Sequence, residues 1–337
     1  MLEIDGAEGG GQILRTALSL SAVLGQPVRL TNIRKPRPNP GLQPQHLTCV
    51  NALTKICRAK ISGAELGSPT LSFEPGQVDG GEYFFDIGTA GSTSLVVQAV
   101  LPALLFAKKP SRVVVRGGTH VAWSPDFHFL QKVFAPAAAL FGARFSLTLR
   151  AYGFYPKGGG EVELLVEPCG GLRGVHLSER GRCSEVEGIS VCANLPAHIA
   201  TRQAQAVLGI FPNAKLKTET AKALSPGSFV SLWCVCEGGF LGASALGRPG
   251  KSAEEVGREA AESMRALLAS PACVDNHLGD QLMIYAALAK GSSVLRVAEF
   301  TAHERSNAVA IEAFTKKPFV FDGANGTISV EGIGFVR

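Results

Sequence analysis

The sequence contains no apolar run long enough to cross a membrane. The longest run, from Leu95 to Ala107, is interrupted by Gln98 and Pro102 and falls short of the roughly 20 apolar residues that a transmembrane helix needs. The N-terminus also lacks a basic segment followed by an apolar one, the pattern of a secretory signal peptide. We therefore expect a protein that is located in the cytoplasm and has no membrane partner.

Cysteine pairs with metal-binding or redox spacing are also missing. The chain has eight cysteines in 337 residues, and none forms a C-x-x-C pair, so the sequence supports neither a zinc ribbon nor a redox motif. We expect reduced, mostly buried thiols. The charge is only mildly basic, at +5 with a pI near 8.8. Such a charge permits a nucleic-acid or phosphorylated partner without requiring one.

Internal repetition organises the chain. At 337 residues, with 46% hydrophobic residues, the chain is expected to form two domains or one large domain with an insertion. Three units each consist of a turn that opens a helix, a strand, a second helix and two closing strands. The predicted first helices cover 8–24, 88–106 and 277–288, and the second helices cover 45–57, 126–141 and 306–314. This alternation predicts an α/β (α+β) protein.

A longer gap separates the second unit from the third, by roughly 100 residues, which is typical of an insertion. We expect a large domain of three repeated β-α-β-α-β-β units over 1–181 and 251–337. A small inserted α/β domain is expected over 182–250. A helix over 253–268, opened by the capping box from Ser252 to Glu255, is predicted to lead back to the large domain.

The first helix opens with a glycine-rich run that ends at Arg15. Glycines allow backbone N–H groups to approach a ligand closely, and a helix N-terminus favours anions. Glu8 could hold a divalent cation, and Arg15 could bind phosphate. The alternative is a tight strand-to-helix turn with a solvated charge at each end. The run alone does not decide between them.

A Pro-rich loop over 34–46 presents Arg34, Arg37 and Gln45. Guanidinium groups on a rigid loop suit a polyphosphate or RNA phosphate, although a solvated basic loop is the alternative. His303 follows the predicted strand of the third unit, a position where loops of α/β proteins carry function. Its imidazole could act as a base, metal ligand or nucleophile. The alternative is a helix-capping cluster in which Ser306 or Asn307 is the cap.

Taken together, seven segments resemble the RNA 3′-terminal phosphate cyclase family. In chain order they are 8–15, 34–46, 89–93 with Gln98, 116–119, 153–160, 278–281, and His303 with 306–307. The resemblance spans nearly the whole chain and is weakest in the insertion. The resemblance implies a large domain of three repeated units joined to a small inserted domain. It also implies an ATP-dependent enzyme that converts an RNA 3′-phosphate into a 2′,3′-cyclic phosphate and releases AMP and pyrophosphate.

The resemblance also implies roles for individual residues. His303 is the expected nucleophile, which forms a covalent histidine–AMP intermediate before AMP passes to the RNA end. Glu8 is expected to hold Mg²⁺ or Mn²⁺. The family often has an aromatic such as tyrosine where this chain has His277. The positions expected to bind the nucleotide are Arg15, Arg34, Arg37, Gln45, Gln98, Pro125, His277, Leu278, Gly279, Asp280 and Gln281.

Two other functions remain as alternatives. A non-catalytic, cyclase-like RNA-binding protein in ribosome assembly would lack the histidine, so the presence of His303 with Glu8 and Arg15 argues against it. A small-molecule transferase, similar to the enolpyruvyl transferases, would bind phosphorylated substrates with arginines but would not need the segment around His303. The expected partners are therefore ATP and an RNA with a 3′-terminal phosphate.

Overall fold

The computed structural model describes residues 1–7 and 10–337, and within them three units repeat one order of elements. The first unit contains β1 (Leu2–Asp5), α1 (Gly10–Leu24), β2 (Val28–Thr31), α2 (Pro44–Cys57), β3 (Lys60–Ser62) and β4 (Leu71–Glu74). The second contains β5 (Glu82–Asp86), α3 (Thr93–Leu105), β6 (Ser111–Gly117), α4 (Phe127–Phe129), α5 (Ala135–Leu140), β7 (Arg144–Ala151) and β8 (Gly160–Glu167). A π-helical turn, Leu130–Phe134, joins α4 to α5.

The third unit is split by an insertion. Its first strand is β9 (His176–Leu177), after which come the inserted elements β10 (Glu187–Ala193), α6 (His198–Leu208), β11 (Lys215–Ala221), β12 (Gly227–Cys236), β13 (Gly239–Leu246) and α7 (Ala253–Ala269). The unit resumes with α8 (Asn276–Leu288), β14 (Lys290–Arg296), α9 (Ala302–Thr315), β15 (Val320–Asp322) and β16 (Thr327–Ile333).

Strand pairing shows that the three units share one topology. Their sheets have the orders β1-β2-β4-β3, β5-β6-β8-β7 and β9-β14-β16-β15. In each sheet the first pair is parallel and the other two are antiparallel, with Ile4 opposite Leu30 and Phe84 opposite Val114 in the first pairs of the first two sheets. The predicted fold class of three repeated units with an inserted unit is confirmed.

Helices α1, α3 and α8 lie in the main core. In α3 all residues are buried except Gln98, as expected for a helix that is apolar on all sides. The Ser19 hydroxyl of α1 donates to the Ala99 carbonyl of α3 at 2.6 Å. Among the described residues, none of the helices combines the length and apolar character that crossing a membrane requires.

Helix α9 begins four residues earlier than the sequence predicted. The predicted caps were Ser306 or Asn307, but Thr301 is the N-cap. Its hydroxyl accepts from the Glu304 amide at 3.1 Å, and the Glu304 carboxylate accepts from the Thr301 amide at 2.7 Å. This reciprocal capping box satisfies two N–H groups at the helix start. His303 consequently lies in the first turn of α9.

Helix α7 packs within the inserted unit. Val256, Ala260 and Met264 share a core with Leu232 of β12 and Leu241 of β13. The predicted capping box is present, since the Ser252 hydroxyl accepts from the Glu255 amide at 3.2 Å. By its packing the inserted unit therefore extends beyond residue 250, because the apolar face of α7 covers the inserted sheet.

The expectation of reduced thiols is wrong for two of the eight cysteines. Cys183 and Cys236 form a disulfide across 53 positions of sequence. An antiparallel bridge places these two residues directly opposite each other, a pairing that the spacing of cysteines in the sequence does not reveal. The other six are free, and five of those are buried.

Candidate active site

The turn that opens α1 is packed against side chains from the loop before α2 and from α2 itself. A Cβ atom at Gly10, whose φ is +59°, would lie 3.4 Å from the Arg37 guanidinium. A Cβ at Gly11 would overlap Nε2 of His46 and would lie 3.2 Å from Nη1 of Arg15. Glycine at position 11 is therefore required by the close approach of His46 to the backbone.

His46 presents a defined face to this turn. The ring is buried, and its Nδ1 accepts from the Gln43 amide at 3.1 Å. Burial, with the charges of Arg15 and Arg34, lowers the pKa of His46 to about 3. The ring is therefore neutral, and its remaining proton lies on Nε2, directed at Gly11. His46 was not among the predicted site residues, although its position at the end of the Pro-rich loop was a signal that could have included it.

Near the turn, a half-buried carboxylate connects three helices. The amide group of Gln12 donates to Oδ1 of Asp280, and Nδ2 of Asn307 donates to the same oxygen at 2.9 Å. The Thr16 hydroxyl in turn donates to Oδ1 of Asn307 at 2.7 Å. Helix α1 of the first unit is thus fixed to α8 and α9 of the third.

The environment of Asp280 balances opposing effects. Burial raises the pKa of Asp280 to about 6, while the Gln12 hydrogen bond and the charge of Arg15 act against that shift. Burial lowers the pKa of Arg15, and the electrostatic effects of Cys49 and Asp280 act against that shift. Arg15 therefore lies between this carboxylate and the surface of the turn, which positions its guanidinium near the glycines.

His303 reaches this cluster from the far end of the chain. Its ring is exposed in the first turn of α9. Partial burial lowers its pKa, and the charges of Arg15, Arg37 and His277 lower it further. His277 is exposed in the first turn of α8. The charges of three other predicted residues therefore act on His303, and we call these four residues the α1-turn cluster: Arg15, Arg37, His277 and His303.

Two predicted glutamines carry unpaired amide atoms. Nε2 of Gln98 and Oε1 of Gln281 are buried without a hydrogen-bond partner in the part of the chain that the structure describes. Buried polar atoms without partners are costly, and these two offer a donor and an acceptor to a ligand. Gln45 has a partner, since its Oε1 accepts from the Ser92 amide at 3.3 Å. Gln45 thereby connects α2 to the turn before α3.

Other predicted residues have structural contacts. One guanidinium nitrogen of Arg34 donates to the carbonyls of Asn39 at 2.5 Å and Gly41 at 3.1 Å, which holds the Pro-rich loop. The Leu278 side chain is fully buried in the core. Pro125 is half-buried in the loop between β6 and α4. The predicted metal ligand, Glu8, lies outside the described residues.

Glu304 is a second buried carboxyl group that the sequence did not indicate. A Cβ at Gly279 would lie 2.9 Å from its Oε1, which has no hydrogen-bond partner among the described residues. Burial and the nearby Asp280 raise the pKa of Glu304 to about 7, against the Thr301 backbone hydrogen bond. Gly279 therefore allows α8 to approach this carboxyl group.

Comparisons with known proteins point to one family. The sequence profile described as RNA 3′-terminal phosphate cyclase matches residues 6–321. A protein named RNA 3′-terminal phosphate cyclase from Pyrobaculum neutrophilum is 45% identical over 345 aligned positions, covering 99% of each chain. One of the same name from Pyrococcus furiosus is 45% identical, covering 97% of this chain and 96% of its own. Among solved structures, the enolpyruvyl transferase NikO from Streptomyces tendae has a TM-score of 0.42 and 13% identity, covering 98% of this chain and 48% of its own.

Proposed function

Because the chain belongs to the RNA 3′-terminal phosphate cyclase family, we propose that it converts the 3′-phosphate of an RNA into a 2′,3′-cyclic phosphate at the expense of ATP. The relatives that carry this name match the chain over nearly their full length. This similarity supports an enzyme of the ligase kind over a non-catalytic RNA-binding protein or a small-molecule transferase. The proposed partners are RNA and ATP, and a cytoplasmic location stays a prediction.

The observation that carries the proposed mechanism is that the charges of Arg15 and Arg37 act on His303, which follows the predicted motif. The lowered pKa of His303 keeps its imidazole neutral at pH 7, which is the nucleophilic form. In the proposed first step a ring nitrogen of His303 attacks the α-phosphorus of ATP. A phosphorus–nitrogen bond forms, the bond to the β-phosphate oxygen breaks, and pyrophosphate leaves with the electron pair.

The two arginines serve both reactants in this proposal. Their guanidinium groups neutralise the negative charge of the triphosphate. This is needed because that charge otherwise repels an electron-rich nucleophile. The same charges disfavour protonation of His303. The Nε2–H of His46 and the N–H groups in the first turn of α9 add donors for phosphate oxygens. We propose that Arg15, Arg37 and His46 hold the phosphates while His303 attacks.

Other predicted residues are candidates to bind the rest of the nucleotide and the metal ion. We propose that the unpaired amides of Gln98 and Gln281 bind the nucleotide and that the exposed imidazole of His277 stacks on adenine, with Pro125 as its second neighbour. Arg34 and Gln45 hold the surrounding loops. The carboxylate of Glu8 suits a hard divalent cation, and we propose that it binds Mg²⁺ or Mn²⁺, which would neutralise phosphate charge when bound.

The later steps pass AMP onward. An oxygen of the RNA 3′-phosphate attacks the phosphorus of histidine–AMP, so that the phosphorus–nitrogen bond breaks and the imidazole of His303 is restored. The neighbouring 2′-hydroxyl then attacks the activated 3′-phosphorus, loses its proton and displaces AMP. Splitting the reaction in this way replaces one difficult displacement by three easier ones.

The test is covalent labelling by ATP carrying ³²P at the α-position, with Mg²⁺ present. The wild type should acquire an acid-labile label that RNA with a 3′-phosphate removes, and His303→Ala should acquire none. His198→Ala, which changes an exposed histidine of the inserted unit, is the matched control and should label normally. A wild type that takes up no label, or an unchanged label on His303→Ala, would overturn the proposed intermediate.

A further inference from the structure

A second cluster of ligating side chains lies where the inserted sheet meets the second unit. His120 follows β6, Asp126 is the N-cap of α4, and His128 lies in α4. Only 1%, 4% and 8% of their respective surfaces are exposed. The ring of Phe229, from β12 of the inserted unit, stacks on His120 at a centroid distance of 3.8 Å. The cluster is therefore enclosed between two units of the fold.

The ligating atoms converge on one point. Nε2 of His120 is 3.1 Å from Nδ1 of His128, and Nδ1 of His128 is 4.0 Å from Oδ1 of Asp126. One atom from each residue lies within 4.8 Å of the other two. In a tetrahedral zinc site with bonds of about 2.1 Å, ligand atoms are about 3.4 Å apart. Small side-chain rotations would bring the three atoms to that spacing.

Asp126 has an oxygen that no described residue satisfies. Its Oδ1 accepts from the Phe129 amide at 2.9 Å and from the Ser231 hydroxyl of β12 at 3.2 Å, but Oδ2 is buried without a partner. Among the described residues, His128 is the sole basic side chain within 4.0 Å of this carboxylate. A buried carboxylate oxygen without a hydrogen-bond donor is costly, and a cation bound to Asp126 would supply a counter-charge.

The two imidazoles are prepared as ligands. Nδ1 of His120 is 2.8 Å from the Thr119 hydroxyl, whose oxygen also accepts from the Gly153 amide at 2.9 Å. A proton on Nδ1 donated to Thr119 leaves Nε2 as an acceptor, which pairs with Nδ1 of His128 in this structure and would bind the metal in its place. Outer hydrogen bonds of this kind orient metal-binding histidines.

An entrance exists beside His128. A groove of about 430 Å³ is lined by His128, Tyr152 and Glu219, among others. Glu219 belongs to β11 of the inserted unit, where its carboxylate lies 3.6 Å from Nζ of Lys217, and Arg150 also lines the groove. A cation could therefore reach His128 from solvent.

We propose that His120, Asp126 and His128 bind a divalent transition metal, for which Zn²⁺ fits best, with water or the Ser231 hydroxyl as the fourth ligand. Two imidazoles and one carboxylate form a donor set typical of zinc. The three residues are different from those of the α1-turn cluster. Its ligands come from the second unit and its cover from β12, so the metal would hold the inserted unit against the large one.

The experiment titrates metal-free, oxidised protein with Zn²⁺ and with Co²⁺. We expect one equivalent of Zn²⁺ by elemental analysis, a rise in Tm, and the visible absorption of tetrahedral Co²⁺ with nitrogen and oxygen ligands. Asp126→Asn retains the cap on Phe129 but removes the charge, and it should weaken Zn²⁺ binding by at least about 100-fold, because even outer partners of metal ligands contribute about 10–100-fold. His128→Gln should behave in the same way.

The control for Zn²⁺ binding changes a histidine outside the cluster. His198→Gln, at an exposed histidine, should bind Zn²⁺ as the wild type does. The proposal fails if the wild type takes up no Zn²⁺, or if Asp126→Asn binds it as tightly. It also fails if Co²⁺ gives the thiolate absorption of a cysteine site. The Co²⁺ spectrum of the wild type decides the ligand type even where a variant does not fold.

Discussion

Replacing Gly11 by alanine should separate activity from stability. The added Cβ would overlap Nε2 of His46, and it would lie 3.1 Å from Cδ2 of the same ring. The ring is buried and held by the Gln43 amide, so it cannot rotate freely away. Relief of the overlap requires His46 and the turn to separate by about 1 Å, and a misplacement of that size can cost about 100-fold in rate.

The assay is the single-turnover rate of AMP transfer to the protein. We expect Gly11→Ala to slow this rate by about 100-fold, which corresponds to about 2.7 kcal/mol. Stability should change little, because the gain of up to about 1 kcal/mol from alanine in a helix offsets the strain. Gly170→Ala is the matched control, since a Cβ there meets no atom within 4 Å, and it should leave the rate unchanged.

A double variant identifies the cause. If the overlap with His46 is responsible, Gly11→Ala should slow the reaction by less than about threefold in a His46→Ala background, because the residue in contact is gone. An equally large loss in that background would refute the reasoning. So would a single Gly11→Ala variant that labels at the wild-type rate.

Three further predictions concern the titration of His303, the titration of Glu304 and the reduction of the disulfide. Since the pKa of His303 lies below its usual value, the labelling rate should fall with acid only below pH 6.5, and Arg37→Gln should move that limb of the pH–rate profile to higher pH. The pKa of Glu304 is raised to about 7, so its contribution to stability is present at low pH and is lost as pH rises through 7. The Tm of the wild type should fall over this range, and Glu304→Gln should remove Glu304's part of that fall. Reduction of the disulfide between Cys183 and Cys236 should lower the free energy of unfolding by up to about 4 kcal/mol. Denaturant midpoints with and without reductant measure this, and Cys183→Ser should not respond to reductant.

Local sequence patterns determined the order of elements. Apolar periodicity and turn residues predicted the three repeated units, because each helix and strand needs an apolar face of fixed period. The same patterns misplaced the start of α9, because Thr301, Ser306 and Asn307 are all suitable caps. The choice of Thr301 depends on Glu304 three residues later, whose carboxyl group is buried against Gly279.

The candidate site was only partly accessible from sequence. The motifs identified Arg15, Arg37 and His303, because charged and nucleophilic side chains in glycine-rich or Pro-rich surroundings stand out. They did not identify His46 or Glu304, whose importance lies in what they touch. The neutral state of His46 arises from burial beside two arginines, and neither condition is visible in the residue's own neighbours.

The sequence by itself determined the family, the three repeated units and the insertion, since these depend on residue types in a fixed order, whereas the role of His303 as nucleophile stays a prediction. Tertiary structure alone decided which residues meet. Helix α1 of the first unit and α9 of the third are joined because Asp280 accepts hydrogen bonds from both Gln12 and Asn307. The disulfide and the cluster of His120, Asp126 and His128 likewise depend on how the inserted sheet packs. Contacts between distant segments are set by packing of the whole core, which no local pattern encodes.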